Sequence, residues 1–149
     1  MEREAIQRVE TWMSRYRSNG RGGSPAERAE LLLAILNDHH GSNRLRLTYI
    51  CTGLGCTLRS VERVFKAKYG ESMHKMQKRL RMERVNWCLR ADPKIKLSAL
   101  AFEMGYDRLS EFSRYFRQRE GMTPQQYLEK VILPELAREA AKSEKSHGV

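Results

Sequence analysis

The feature that most restricts how this chain can fold is a pattern it carries twice. Leu47-x-x-Ile50-Cys51 returns fifty positions later as Leu97-x-x-Leu100-Ala101, and Gly55 returns as Gly105 at the same offset. Arg63-x-Phe65 and Gly70 then return as Arg114-x-Phe116 and Gly121 at an offset of fifty-one. One extra residue therefore enters between Gly105 and Arg114, in or beside a turn, where a packed unit tolerates an insertion best. Self-similarity at such a period means that one supersecondary unit is built twice.

Each copy reads as two short helices around a glycine turn. The first helix points Leu47, Ile50 and Cys51, or Leu97, Leu100 and Ala101, toward a core. The small Cys51 and Ala101 suit a place where a second helix crosses closely. Gly55 or Gly105 supplies the left-handed backbone that other residues resist. The second helix starts at a capping residue, Thr57 in copy one and Asp107 in copy two. It buries Val61, Val64 and Phe65, or Phe112, Tyr115 and Phe116, and stops at Gly70 or Gly121. This is the layout of a helix-turn-helix.

The opposite face of each second helix carries groups suited to reading a base pair. Copy one presents Arg59, Ser60, Glu62, Arg63 and Lys66, and copy two presents Arg108, Ser110, Glu111, Ser113, Arg114 and Arg117. Arginine bonds bidentately to guanine, a carboxylate accepts from cytosine, and cations further along meet phosphate. Each good contact discriminates against a wrong base by about 1–3 kcal/mol. A charged helix face alone is usually just solvated; the matched second copy favours the reading role. A formal charge of +10 in 149 residues agrees with a polyanionic partner.

Between the copies, residues 72–89 contain neither Gly nor Pro and place Met73, Met76, Leu80, Val85 and Leu89 on one stripe. A helix over this stretch spans about 27 Å, against roughly 34 Å between successive major-groove openings on one face of B-DNA. Two heads extending beyond its ends could then enter adjacent grooves. Lys75, Lys78, Arg79, Arg81 and Arg84 outnumber Glu83 along it, and Arg79 is expected to meet phosphate.

The flanks divide the chain further. Residues 2–17 repeat apolar side chains at steps of three and four (Ala5, Ile6, Val9, Trp12, Met13, Tyr16), an amphipathic helix followed by a Gly-rich break. A further helix starts at Ser24 as cap, with Pro25 first and Glu27 three residues on, and stops at Gly41. At the other end Pro134 interrupts an apolar stripe, and residues 142–149 are expected to be disordered. The expected organisation is an N-terminal helix and linker over 1–23, a DNA-binding domain over 24–133 and a tail over 134–149. Within the domain the first helix-turn-helix occupies about 46–70, the connector about 72–90 and the second unit about 96–121.

Other chemistries find little support. No apolar run follows the charged N-terminus and none is long enough to span a bilayer, so neither a secretory signal nor a membrane partner is expected. The three cysteines, Cys51, Cys56 and Cys88, lie in apolar segments and suit thiols in a reducing cytoplasm. Cys51, Cys56 and His74 lack the paired spacing of a metal site. Gly20 to Gly23 lack the Lys-Ser/Thr of a phosphate loop. No catalytic set, cofactor or metal is expected, and no enzyme.

Gly105-Tyr106, Glu111-Phe112-Ser113-Arg114-Tyr115-Phe116-Arg117 and Gly121-Met122-Thr123-Pro124 carry a resemblance. Together with Val61-Glu62-Arg63-Val64-Phe65-Lys66, Gly70 and Leu80-Arg81-Met82-Glu83-Arg84, they make the stretch 44–127 resemble the DNA-binding domain of AraC/XylS transcriptional regulators. The resemblance implies an all-α, homeodomain-like fold of two helix-turn-helix subdomains joined by a long connector helix. It implies base reading by Arg59, Glu62 and Arg63 in the first unit and by Leu109, Ser110, Ser113 and Arg114 in the second. It also implies control of transcription, often activation through contact with RNA polymerase. Cys51 and Val85 stand where alanine is common, Tyr106 where phenylalanine is usual and Thr123 where serine is usual. Only about 25 residues precede the first domain helix, too few for the sensor domain many members carry. The N-terminal helix, with Trp12 and Tyr16, is then expected to dock on the domain, self-associate or bind another protein. The competing reading is a regulator that keeps this fold but sequesters a protein partner, using that helix or the acidic Glu62 and Glu111.

Overall fold

The computed structural model describes residues 24–147. The helix expected over 2–17 lies outside them. Among the described residues there is no strand, and the fold is all-helical.

Helix α1 (Pro25–Asp38) starts as its sequence dictates. Ser24 Oγ accepts from the Glu27 N–H at 3.2 Å, and Pro25 occupies the first turn, where it has no N–H to leave unpaired. The helix ends by turning over through His40 (φ 52°) and Gly41 (φ 64°), with the Gly41 N–H returning to the Leu36 carbonyl at 2.9 Å. Next come α2 (Leu47–Gly53), α3 (Leu58–Tyr69), the connector α4 (Met73–Ala91), α5 (Leu97–Glu103) and α6 (Leu109–Glu120). A short α7 (Pro124–Tyr127) widens into π-helical turns over Leu128–Ile132 and continues as α8 (Leu133–His147).

The chain forms two compact units that divide inside α4, after Arg81. In the first, α1 packs against α3, and Ala29, Leu32, Ile35, Leu36, Leu47, Ile50, Cys51, Val61 and Phe65 close the core with Met73 and Met76 from the start of α4. Gln77 Nε2 donates to the carbonyls of Ser42 (2.8 Å) and Leu45 (3.0 Å), and Arg81 Nε to that of Gly41 (2.9 Å). These bonds satisfy the buried polar ends of Gln77 and Arg81 and bind the α1–α2 loop to α4. In the second unit, Met82, Val85, Cys88 and Leu89 from the end of α4 meet Leu100, Ala101, Met104, Tyr106, Phe112, Phe116, Leu128 and Ile132. Tyr127 Oη donates to Asn86 Oδ1 at 2.6 Å, and Arg90 pairs with Glu135 (3.0 Å) and Glu139, which fastens α8.

The polar stretch expected to be disordered is helical through His147. Pro134 would ordinarily clash with the carbonyl four residues back. The widened turns relieve this, since the Leu133 N–H bonds five residues back to Leu128. Once Ile132 and half-buried Leu136 dock the start of α8, good helix formers such as Ala140, Ala141, Lys142 and Glu144 extend it at little cost.

Candidate nucleic-acid interface

The two turns are built alike. After α2, the Cys56 N–H bonds to the Cys51 carbonyl and the Gly55 N–H to that of Thr52, both at 3.0 Å; Gly55 has φ 76°. After α5, Tyr106 bonds to Ala101 and Gly105 to Phe102, again at 3.0 Å, with φ 92° at Gly105. This is the Schellman arrangement, in which the left-handed residue is glycine and the residue after it touches the last helical turn. The contact is Cys56 on Cys51 in one unit and Tyr106 on Ala101 in the other.

Burial pushes the Cys51 thiol, aided by the neighbouring Cys56, from 9.0 to about 12, and burial with Glu103 beside it pushes Cys88 to about 11. Both folded values lie above the unfolded one, and the neutral form is the favoured one. Below pH 9 nothing is lost; above it the unfolded chain ionises while the folded chain does not, so stability falls as pH rises from 9 toward 11. The melting temperature is expected to drop across that window, and Cys51→Ala, the residue copy two carries there, to lessen the drop. An unchanged pH profile in Cys51→Ala would contradict the burial of this thiol.

The second helices also begin alike, with one difference from expectation. Thr57 caps α3, its Oγ1 accepting from the Ser60 N–H at 3.1 Å. Asp107 does not cap α6: the N-cap is Arg108, with no side-chain bond to the helix. The inserted residue sits in the turn, so the fifty-one offset already holds at the helix start and Arg108 occupies the place of Thr57. Both helices end at left-handed glycines, Gly70 (φ 81°) and Gly121 (φ 74°). Phe65, Phe112 and Phe116 are fully buried, whereas Val64 and Tyr115 are only half-buried.

On the outer face of α3, Arg59, Ser60, Arg63 and Lys66 are exposed; on α6, Arg108, Ser110, Glu111, Arg114 and Arg117 are exposed, Ser113 is half-buried and Leu109 is 39% exposed. Among the described residues none of Arg59, Arg63, Lys66, Arg108, Arg114 and Arg117 has an ion-pair partner. Some have a local reason to be charged. Lys66 and Arg117 lie in last turns, where cations meet carbonyl ends, and Glu111 lies in a first turn, which favours an anion. Arg63 and Arg114 sit mid-helix, and Arg59 sits in a first turn that disfavours a cation. For those three the helix supplies no explanation.

Two candidates are bound inside the protein. Glu62 Oε1 accepts from the Met73 N–H at 3.1 Å, the first residue of α4, so this carboxylate satisfies a helix start. The repeat explains the choice. Fifty-one positions on, Ser113 replaces Glu62 and Pro124 replaces Met73, so copy two has no N–H to satisfy and needs no carboxylate. Ser72 and Thr123, also matched, cap α4 and α7 alike, each accepting an N–H three residues on. Comparing the copies residue by residue reveals the role of Glu62; inspecting one helix face does not. Arg79, in turn, is held by Glu71 Oε1 at 2.7 Å.

No group of three or more His, Cys, Asp or Glu among the described residues could hold a metal ion, and no described helix is long and apolar enough to cross a membrane. A family profile described as a helix-turn-helix domain matches residues 50–130, more than half of the chain. The chain belongs to the AraC-type helix-turn-helix family. That membership makes it a DNA-binding regulator of transcription. The fold is similar to that of the C-terminal domain of AraT, a response regulator from Geobacillus stearothermophilus, with a TM-score of 0.60 and 23% identity over 75% of this chain and 89% of that one. No curated protein sequence matches it.

Proposed function

We propose that this protein recognises a specific double-stranded DNA site of roughly 20 base pairs with α3 and α6 in neighbouring major grooves. Arg63 and Arg114 read base edges at equivalent places in the two halves, with Arg59, Ser60, Leu109, Ser110, Glu111 and Ser113 beside them. Lys66, Arg108 and Arg117 meet phosphate, and Arg79 does so if it exchanges Glu71 for the backbone. The observation that carries the reading is the matched pair of mid-helix arginines, exposed and unpaired among the described residues, on two helices built to the same plan. The family resemblance supports activation of transcription in the cytoplasm through RNA polymerase, and the helix read in the sequence of residues 2–17 would dock on the domain, self-associate or bind a protein partner. The sequestration alternative drew on an acid on each reading face; Glu62 is bonded to Met73, and only Glu111 remains.

Selection from randomised duplexes followed by single substitutions tests this. Arg63→Ala and Arg114→Ala are each expected to weaken binding to the selected site by roughly ten- to a hundredfold, the equivalent of about 1–3 kcal/mol. Each should relax base preference at its own end of the site. If both variants bind the selected site as the wild type does, the reading helices are misassigned.

A further inference from the structure

The two turns make the same contact with different chemistry. Each is closed by an N–H that returns five residues back, from Cys56 to the Cys51 carbonyl and from Tyr106 to that of Ala101, both at 3.0 Å. A bond of that length between two backbones keeps their Cα atoms within about 7 Å, and a Schellman turn faces the two side chains toward one another. A disulfide spans Cα atoms about 4.4–6.8 Å apart, so the turn already holds such a pair within reach of one. In the second unit alanine and tyrosine fill the two places, so packing does not require sulfur at either. In the first unit both are cysteine, and neither is in a disulfide. Cys56 Sγ lies 3.4 Å from the Cys51 carbonyl oxygen, and burial first, then the Cys56 thiol, push the Cys51 thiol up to about 12. Their exposures differ. Cys51 is fully buried, whereas Cys56 is half-buried and meets solvent.

We propose that Cys51 and Cys56 form a peroxide-sensitive dithiol that closes to a reversible disulfide across the turn between α2 and α3. Cys56, the thiol that solvent reaches, reacts first. Its thiolate attacks one oxygen of hydrogen peroxide, the O–O bond breaks, and the hydroxide released takes up a proton to leave as water. Cys51, having given its proton to solvent, then attacks the sulfenic sulfur of Cys56; the S–O bond breaks and a second hydroxide leaves as water. Two thiols are oxidised by two electrons to one disulfide, and one peroxide is reduced to two waters. A thiol reductant reverses the step by exchange. Because burial disfavours the Cys51 thiolate, closure is slower than the first oxidation.

The test treats the full folded chain with hydrogen peroxide, alkylates the remaining thiols in urea and weighs the tryptic peptides, of which one carries residues 47–59 and so both cysteines. That peptide should be recovered without alkyl groups and about 2 Da lighter than its reduced form, and dithiothreitol should restore both alkylation sites. Cys88, whose buried thiol faces Glu103 Oε2 at 3.5 Å, should stay alkylatable. In Cys51→Ala the oxidation of Cys56 should stop at the sulfenic acid, captured by dimedone, and in Cys56→Ser Cys51 should remain alkylatable. A wild-type Cys56 that proceeds to sulfinic acid while Cys51 stays alkylatable overturns the proposal. So does a disulfide that joins two chains, or one that forms only when peroxide is added to the unfolded protein.

Discussion

Gly41→Ala is expected to leave the first unit unfolded under conditions where the wild type is intact. A Cβ at this position would lie 2.0 Å from the Gln77 carbonyl oxygen and 3.0 Å from the Arg81 nitrogen, both backbone atoms of α4. A helix backbone cannot yield by that much, and the loop cannot retreat without breaking the bonds that Gln77 and Arg81 make to Gly41, Ser42 and Leu45. The positive φ of 64° adds the ordinary penalty for a side chain in left-handed backbone. The combined cost should exceed about 4 kcal/mol, against a typical domain stability of about 5–15 kcal/mol. Gly70→Ala and Gly121→Ala are the controls. Both glycines have positive φ, but an added Cβ meets nothing within 4 Å, so each should cost only about 1–2 kcal/mol. Urea unfolding followed by circular dichroism distinguishes them. If Gly41→Ala proves no worse than Gly70→Ala, the close approach of loop and helix is not maintained in solution.

Gly41 also shows where reading the chain by itself stops. As a helix terminator it was legible, because glycine after an apolar stripe is a local signal. Its contact with Gln77 and Arg81, some forty residues away, is set by tertiary packing and has no local sign. The second unit hides it further, since the matching positions Ala91, Leu128 and Ile132 replace the hydrogen-bonded approach with other residues. The caps divide in the same way. Ser24 and Thr57 are legible as cap residues at the start of an apolar stripe, and each accepts an N–H three residues on, whereas Asp107 has the chemistry of a cap but is itself the inserted residue, one position ahead of the N-cap Arg108. The α8 helix was hidden by Pro134, which ordinarily ends a helix but here follows turns already widened. In the candidate interface, periodicity identifies the outward face of α3 and of α6. It could not separate Arg63, which faces outward with no partner among the described residues, from Glu62 beside it, which reaches the start of the next helix.

The shared plan also conceals an energetic difference between the two cores. In the first unit Phe65 has one ring neighbour among the described residues, Tyr69, at 4.8 Å. In the second, Tyr106, Phe112, Phe116 and Tyr127 form a continuous chain of rings with centroids 5.1–5.8 Å apart. This chain runs from the turn through α6 to the helix after it, so it fixes the orientation of α6 with side chains of low freedom.

Phe116→Ala is accordingly expected to be the most damaging substitution at the buried face of α3 or α6. Phe116 is fully buried and touches Phe112 (5.8 Å) on its own helix and Tyr127 (5.1 Å) on α7. Emptying such a site costs about 3–5 kcal/mol through lost transfer free energy and the cavity left behind. Two edge-on ring pairs disappear with it, each worth about 0.5–1.5 kcal/mol beyond area. The loss should therefore lie near the top of that range and exceed the loss for Phe65→Ala. On the proposed reading of DNA by α6, binding should suffer at the end of the site that α6 meets beyond what the fraction of folded protein explains, because α6 is no longer tied to α7. Phe116→Leu keeps most of the volume but loses both ring pairs, and should cost about 1–3 kcal/mol, which separates the cavity from the mere loss of aromaticity. Urea titration gives the free energies, and binding measured well below the unfolding midpoint gives the second effect. A Phe116→Leu protein as stable as the wild type would mean that the rings do not hold α6 in place, and a Phe116→Ala protein no less stable than Phe116→Leu would mean that the site is not closely packed.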